Sequence, residues 1–283
     1  MTAQASQKRK NKLALAQYLK TRSRIVDKAL DAALPTKGEH PARLNEAVRY
    51  AVFSGGKRIR PILVLAAAEA CGRGSAAAMP AACALELIHS YSLVHDDLPC
   101  MDDDDLRRGK PTCHKKFGED IAVLAGDALL TQAFSVLTRL KHPRAIEVIR
   151  LVADASGVHG MVGGQAVDIE EQDKELDIPT LEYINTHKTG ALIAVSCKAG
   201  ALLGGGSSKQ VESLYRYGKE IGLLFQIVDD ILDGQGYAKV YGLEGARVRA
   251  RDIHRAAVKE LRIFGQKAST LRQLADFLLN RKK

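Results

Sequence analysis

The hydrophobic and polar positions of this chain follow the repeat of α-helices along most of its length. Apolar residues recur at three- and four-residue spacing in Ala- and Leu-rich segments at 60–71, 81–97, 120–140 and 144–159. No proline follows Pro179, and longer helices are predicted at 181–203, 209–233 and 242–264. Alternating strand patterns are essentially absent. We therefore predict an all-α fold of roughly ten helices around a central cavity, with residues 1–283 forming a single domain.

Two of these helices carry polar side chains on one face. In the first, four residues at i, i+4, i+7 and i+11 form one stripe: Leu85, His89, Ser92 and Asp96. Pro99 interrupts the helix just beyond this stripe, which lets Asp102 return toward Asp96. In the second, the polar face of an otherwise apolar helix holds Gly222, Gln226, Asp229, Asp230 and Asp233. Such a helix is expected to be buried, with its acidic stripe facing something cationic.

Composition narrows the class of protein. Hydrophobic residues make up 46% of the chain, yet no run approaches the roughly 18 apolar residues of a membrane span. The net charge is +9, much of it in residues 247–283, but only 5% of residues are aromatic and no nucleic-acid-binding motif is present. The five scattered cysteines form no Cys-x-x-Cys pair, which favours reduced thiols and a cytoplasmic location. We expect neither nucleic-acid binding nor a membrane span.

The most informative feature is a pair of aspartate clusters, one at each polar stripe. Residues 96–105 contain six carboxylates, and residues 229–233 contain three. Like charges this dense repel one another unless cations hold them. Mg²⁺ prefers oxygen ligands and often binds one or two carboxylates together with substrate phosphates; Mn²⁺ could replace it. Arg107 and Arg108 follow the first cluster and suit phosphate oxygens. The sequence therefore predicts a Mg²⁺-dependent diphosphate site.

The two clusters and their flanks resemble the short-chain trans-isoprenyl diphosphate synthases. The clusters are similar to the first and second aspartate-rich motifs of that family. Further matching segments, in family order from about residue 44 to 233, are 55–61, 86–89, 107–112, 126–130, 164–168, 188–190 and 225–226. A terpene cyclase would share the fold and the first motif, but it needs no second diphosphate pocket.

The resemblance implies a head-to-tail condensation of isopentenyl diphosphate with an allylic diphosphate. It implies metal binding by Asp96, Asp102 and Asp229, and catalytic roles for these residues together with Asp97, Asp230 and Lys188. It implies that isopentenyl diphosphate is held by Gly56, Lys57, Arg60, His89 and Arg108. It implies that the allylic diphosphate is contacted by Arg107, Lys188, Thr189 and Gln226. Taken alone, the basic run could be a surface turn and His89 a core histidine.

The resemblance also bears on product length. In this family the residues four and five positions before the first aspartate shape the floor of the alkyl pocket, and here these are Ser92 and Tyr91. An aromatic residue at the fifth position, together with two extra residues inside the first motif (Pro99 and Cys100), resembles the pattern of bacterial farnesyl diphosphate synthases, and we expect farnesyl diphosphate as the product. Geranylgeranyl diphosphate synthase is the alternative. On a helical wheel Tyr91 also fits an ordinary core stripe.

One departure from the family pattern follows Asp233. The family carries a flexible loop with lysines there, whereas this chain moves almost directly into the next helix. Either the loop of the protein is truly short, with Lys239 as a substitute for its lysine, or the loop residues are missing from this sequence. A poorly active partner subunit is therefore a further alternative. The resemblance implies a homodimer, and the basic N-terminus leaves an organellar transit segment as an alternative to a solvated helix start.

Overall fold

Thirteen α-helices and one very short hairpin account for most of the described residues, which are 3–36, 38–172 and 174–281 in the computed structural model. The helices are α1 (Ala3–Ala33), α2 (Ala42–Phe53), α3 (Ile59–Ala70), α4 (Met79–Asp96), α5 (Cys113–Phe117), α6 (Glu119–Leu137), α7 (Ala145–Ser156), α8 (Met161–Glu170), α9 (Ile178–Ile184), α10 (Ala191–Leu203), α11 (Ser208–Asp233), α12 (Tyr237–Glu260) and α13 (Ser269–Leu279). The prediction of an all-α fold is confirmed.

Shorter elements connect these helices. Two 3₁₀ turns span Ser75–Ala78 and Leu261–Ala268, and a π-turn spans Asn185–Gly190. The strands β1 (Leu106–Arg107) and β2 (Lys110–Pro111) pair antiparallel, with Leu106 opposite Pro111. This hairpin follows α4 after residues 97–105, and it returns Arg107 toward the end of that helix.

The core is built on α3, α4 and α10. These helices consist largely of Ala, Leu, Ile and Val, and most of their residues are buried. Gly200 of α10 lies directly on α3, because a Cβ there would fall 2.2 Å from the carbonyl oxygen of Val64. Close backbone packing of this kind removes apolar surface of both helices from water.

Two segments are long and apolar enough to span a membrane on length and composition alone, and core helices of soluble proteins often share that property. The first, Ser75–Asp96, is 67% buried within the protein. The second, Glu119–Leu137, is only 39% buried. Helix α6 therefore presents an apolar face to the outside, with Val123 41% and Leu124 50% exposed.

Most of the predicted helix boundaries agree with the structure to within about three residues, but the helix predicted at 181–203 is divided into the end of α9, the π-turn Asn185–Gly190 and α10. A second difference lies near the second acidic cluster. The segment predicted at 209–233 is α11, which begins with a capping box at Ser207 and Gln210. The helix predicted at 242–264 is displaced: α12 already begins at Tyr237, bends at Gly242 (φ 68°) and ends at Glu260. The earlier start is favoured because the Asp230 carboxylate accepts the Tyr237 N–H at 2.8 Å. Only residues 234–236 connect α11 and α12.

The N-terminal basic residues lie at the start of α1. The side chains of residues 1–12 lie outside the described part of the chain. The transit-segment alternative and the single-domain organisation both stay predictions.

Candidate active site

The basic loop between α2 and α3 is anchored by a buried arginine. Arg58 adopts a left-handed backbone conformation (φ 53°), and its side chain is only 4% exposed. Its guanidinium donates to Asp27 Oδ1 at 2.8 Å, to Glu86 Oε1 at 2.8 Å and to the carbonyl oxygen of Val52 at 2.7 Å. The loop is therefore more than a solvated turn. With Arg58 fixed inside, Lys57 stays exposed on the same loop.

Beyond this anchor, the guanidinium groups of Arg60 and Arg108 lie close to His89, and we call these three residues the cationic wall after the two arginines. Burial, reinforced by Arg108 and opposed by Glu86, lowers the pKa of Arg60 to about 10. The Arg60 Nε is buried without a hydrogen-bond partner. Burial, followed by the charges of Arg60 and Arg108, lowers the pKa of His89 well below its usual value. Arg108 donates to the carbonyl oxygen of Gly55. Two guanidinium groups, one of them with an unsatisfied buried donor, are suited to bind an anion.

At the end of α4, the first two aspartates of the first acidic cluster, Asp96 and Asp97, have different surroundings. Asp102 returns to the helix end, where its N–H donates to the carbonyl oxygen of Asp96 at 2.9 Å, so the predicted return of the chain after Pro99 is confirmed. Burial raises the pKa of Asp96 to about 6; Lys188 opposes the shift and Asp102 adds to it. This carboxylate is therefore held beside another one without sufficient compensating positive charge.

Asp97 pairs with the hairpin, whereas Asp96 lines a cavity. Its side chain is 4% exposed, and its Oδ1 accepts a hydrogen bond from Arg107 Nε at 2.6 Å. Arg107 also approaches Asp104 at 3.4 Å. Asp97 and Arg107 thus hold the hairpin against the end of α4. Their predicted catalytic and substrate-binding roles are untested, and a ligand would compete with this ion pair for the guanidinium.

The second acidic cluster lies at the end of α11, where it meets the C-terminal segment. Asp229 forms an ion pair with Arg281, whose guanidinium also stacks over the Phe225 ring at 4.8 Å. The Arg281 side chain is only 14% exposed. Asp230 accepts the Tyr237 N–H, and burial raises the pKa of Asp230 despite that bond. The two carboxylates are therefore engaged by the protein itself.

The π-turn places Lys188 and Thr189 beside the first cluster. Lys188 Nζ forms an ion pair with Asp168 Oδ2 at 2.6 Å. The turn packs tightly on α8, because a Cβ at Gly164 would fall 2.2 Å from the Lys188 backbone nitrogen. It also packs closely on α11, where a Cβ at Gly222 would fall 2.8 Å from Gly190 Cα. Glycines in both neighbouring helices therefore allow the turn to enter between them.

These elements enclose a cavity of about 370 Å³. Seven of the predicted residues line it: Arg60, His89, Tyr91, Ser92, Asp96, Lys188 and Thr189. Its apolar part is formed mainly by Leu93, Met101, Met161, Val162, Ala166 and Ile169. Asp102 lines a smaller neighbouring cavity of about 170 Å³ together with Asp168. The 370 Å³ cavity thus has one polar end, lined by cations and a carboxylate, and one apolar end.

The other predicted residues are not in contact with this cavity. They are Gly56, Lys57, Asp97, Asp102, Arg107, Arg108, Gln226, Asp229 and Asp230. Gln226 instead donates to Asn185 Oδ1 at 3.1 Å beside the π-turn. A larger cavity of about 510 Å³ lies elsewhere, around Tyr50 and Phe117, and none of the predicted residues lines it.

Comparison with known proteins shows the family. Residues 41–273 match the family described as polyprenyl synthetase. The chain belongs to the polyprenyl synthetase family. It is 47% identical over 235 residues to a farnesyl diphosphate synthase of Geobacillus stearothermophilus, spanning 81% of this chain and 79% of that relative. It is 45% identical over 293 residues to the heterodimeric geranylgeranyl pyrophosphate synthase large subunit 1, chloroplastic, of Arabidopsis thaliana, spanning 93% of this chain and 78% of the relative.

A solved polyprenyl synthetase structure agrees. The FPP/GFPP synthase of Zymomonas mobilis superposes with a TM-score of 0.90 at 41% identity, covering 94% of this chain and 99% of that one. The protein is therefore a trans-prenyltransferase, and members of this family use isoprenyl diphosphate substrates.

Polyprenyl synthetases generally depend on a divalent metal. In the described part of the chain, no three His, Cys, Asp or Glu side chains converge into a ready-made metal site. The residues nevertheless fit Mg²⁺, because the Asp96 carboxylate lines the cavity and the chain returns Asp102 to the same helix end, which brings together the oxygen ligands that Mg²⁺ prefers. Mg²⁺ also commonly completes its coordination with substrate phosphates and water rather than with protein alone.

Sequence reasoning missed several residues of this polyprenyl synthetase site. Gln165 lines the cavity, and its amide nitrogen and oxygen are both buried without partners. Asp168 holds Lys188, and Glu86 holds Arg58. Gln165, Asp168 and Glu86 all lie in segments that resemble the family, and that position is the only feature of the sequence that points to them. Arg281 had no such signal, because it lies 52 residues beyond Asp229.

Proposed function

We propose that this enzyme condenses isopentenyl diphosphate with dimethylallyl and geranyl diphosphates to give farnesyl diphosphate and pyrophosphate. The observation that carries the proposal is the position of Tyr91. Its ring lines the cavity five residues before Asp96, is 6% exposed, and packs edge-to-face on His95 at 5.8 Å. A buried aromatic ring at this depth would stop an alkyl chain that is anchored by its diphosphate at the acidic end.

The chemistry follows from the charges around the cavity. The allylic C1–O bond breaks, pyrophosphate leaves, and the double bond of isopentenyl diphosphate attacks the resulting cation; a proton is then lost to the departing pyrophosphate. Mg²⁺, or Mn²⁺ in its place, would be held by Asp96, Asp102 and Asp229 and would neutralise charge on the leaving group. Lys188 and Thr189 line the cavity beside Asp96 and would orient the allylic diphosphate.

The second diphosphate belongs at the cationic wall. Arg60 and His89 line the cavity, and Arg108 lies next to them. The buried, unpaired Nε of Arg60 is a donor that a phosphate oxygen would satisfy. Lys57 on the exposed loop and the Gly56 backbone would complete the site for isopentenyl diphosphate.

A homodimer and a cytoplasmic location complete the proposal. The exposed apolar face of α6, with Val123 and Leu124, offers a surface that a second copy would cover. All five cysteines are free, as expected in a reducing compartment. Light scattering after size-exclusion chromatography measures the molar mass of the wild type and of Leu124→Glu. A wild type with the mass of a dimer and a variant with the mass of a monomer support the proposal. A monomeric wild type would contradict it.

Two alternatives have support of their own. A geranylgeranyl diphosphate synthase fits the similarity to relatives of that name. A poorly active partner subunit fits the three-residue connection between α11 and α12, together with similarity to a large subunit described as heterodimeric. Product length distinguishes the first alternative, and activity of the isolated chain distinguishes the second.

The experiment is product chromatography. The purified protein receives Mg²⁺, isopentenyl diphosphate and each allylic primer in turn. We expect a main product of fifteen carbons from the wild type and of twenty or more from Tyr91→Ala, because removing the ring opens space in which added apolar carbons are buried favourably. Tyr215→Ala, outside the cavity and beside Lys198 and Lys219, is the control. A twenty-carbon wild-type product would overturn the farnesyl assignment.

A further inference from the structure

We infer that His95 is the positioning residue that holds the Tyr91 ring in place, and that α6 sets product length through it. This inference rests on the proposed function. It assigns a specificity role to a residue outside the acidic motif's metal-binding positions and to a glycine, Gly126, on a helix outside the alkyl pocket. Three independent contacts of the imidazole carry it.

The first contact is with Tyr91 itself. The two residues stand one turn apart on α4, so their side chains lie on the same face. Their ring centroids are 5.8 Å apart, and the ring planes meet at 77°. Both side chains line the 370 Å³ cavity. An edge-to-face contact restricts ring rotation, so the imidazole determines where the phenol ring stands in the cavity.

The second contact ties the imidazole to α6. His95 Nε2 lies 3.0 Å from the carbonyl oxygen of Val123 in α6. A carbonyl can only accept, so Nε2 is the nitrogen that carries the hydrogen and donates. The bond ties the side chain to backbone of a neighbouring helix, which does not move with side-chain rotamers.

The third contact explains a glycine. A Cβ at Gly126 would fall 2.0 Å from His95 Nε2, 2.3 Å from Cδ2 and 2.7 Å from Cε1. The imidazole therefore lies directly against the α6 backbone. Gly126 stands inside a regular helix and is not among the glycines with positive φ, so its backbone conformation does not require glycine. Glycine is required at this position because any Cβ would overlap the His95 ring.

The geometry makes a double-mutant cycle decisive. Gly126→Ala should displace the imidazole and release Tyr91, and His95→Ala should release Tyr91 directly. In the His95→Ala background the clash is gone, so Gly126→Ala should add nothing further. His95→Gln keeps a donor for the Val123 carbonyl and part of the bulk but loses the aromatic ring, and should restore the wild-type product ratio in part.

The test measures the ratio of twenty- to fifteen-carbon diphosphates that each purified variant makes from dimethylallyl and isopentenyl diphosphates with Mg²⁺. The ratio is read within each variant, so its total rate does not enter. We expect a rise of about three- to tenfold in His95→Ala and Gly126→Ala, the range that loss of one aromatic contact supports. Gly74→Ala, where a Cβ meets nothing within 4 Å, should leave the ratio unchanged.

The outcomes separate cleanly. An unchanged ratio in folded, active His95→Ala overturns the inference, and so does a full Gly126→Ala effect in the His95→Ala background. Should Gly126→Ala fail to fold by circular dichroism, the comparison of His95→Ala with His95→Gln decides alone. A wild type without any prenyl diphosphate product would instead refute the proposed function.

Discussion

The buried Arg58–Glu86 pair allows a sharp test of how the basic loop is held. Glu86→Gln keeps the size of the side chain and its acceptor oxygen but removes the negative charge. The two side chains are 4% and 3% exposed, and Arg58 Nη1 lies 2.8 Å from Glu86 Oε1. The change therefore leaves the positively charged guanidinium of Arg58 buried in the protein with less negative charge around it.

The expected loss of stability follows from that burial. Breaking a buried ion pair by removing one partner costs about 3–5 kcal/mol, because the remaining charge stays buried. Arg58 keeps Asp27 and the Val52 carbonyl as partners, so we expect the lower end, about 3 kcal/mol in the free energy of unfolding. The KM for isopentenyl diphosphate should rise as well, because Arg58 anchors the loop that carries Lys57.

Urea unfolding followed by far-ultraviolet circular dichroism is the suitable assay, since the chain contains no tryptophan. Glu147→Gln is the matched control: Glu147 pairs with Arg144, but the two side chains are 42% and 41% exposed. An exposed pair of this kind contributes about 0–1 kcal/mol. If both variants lose the same stability at equal protein concentration, the reasoning about the buried anchor is wrong.

The remaining predictions concern the diphosphate sites. Asp96→Asn and Asp229→Asn should stay helical yet lose at least ~10³-fold in turnover, roughly 4 kcal/mol of transition-state stabilisation; near-normal turnover in either variant, or in EDTA, would refute the metal chemistry. Arg60→Ala should mainly raise the KM for isopentenyl diphosphate and Lys188→Ala that for the allylic substrate; equal effects on one substrate would show that the pockets are misassigned. Arg281→Ala frees the carboxylate of Asp229, so half-saturating Mg²⁺ should fall about fivefold, the worth of a partly exposed ion pair; an unchanged or higher value contradicts this.

The sequence predicted those parts of the site that depend on local spacing. The His89–Asp96 stripe follows from the helical repeat, and both residues line the cavity. Pro99 predicted the break after α4, and the return of Asp102 followed from it. The helical fold itself followed from periodicity, because apolar residues on one face must be buried against other helices.

Contacts between distant segments left no such local signal. Arg58 looked like part of a basic surface run, and only its partners Asp27 and Glu86, 31 and 28 residues away, draw it inside. Asp97 looked identical to Asp96, yet the short hairpin turns Arg107 onto it. Charge patterns show which groups need partners, but only the packing of helices shows which partner each receives.

The cationic wall around Arg60 has a consequence for the lifetime of the protein in a cell. Burial lowers the pKa values of Arg60, His89 and Arg108, and the charge of Arg108 lowers those of Arg60 and His89 further, so an anion bound here would stabilise the charged forms. An anion present at a hundred times its dissociation constant adds about 2.7 kcal/mol to folding stability by mass action. Chaperones and proteases act on the unfolded fraction. The abundance of this enzyme should therefore rise and fall with the supply of its own diphosphate substrates.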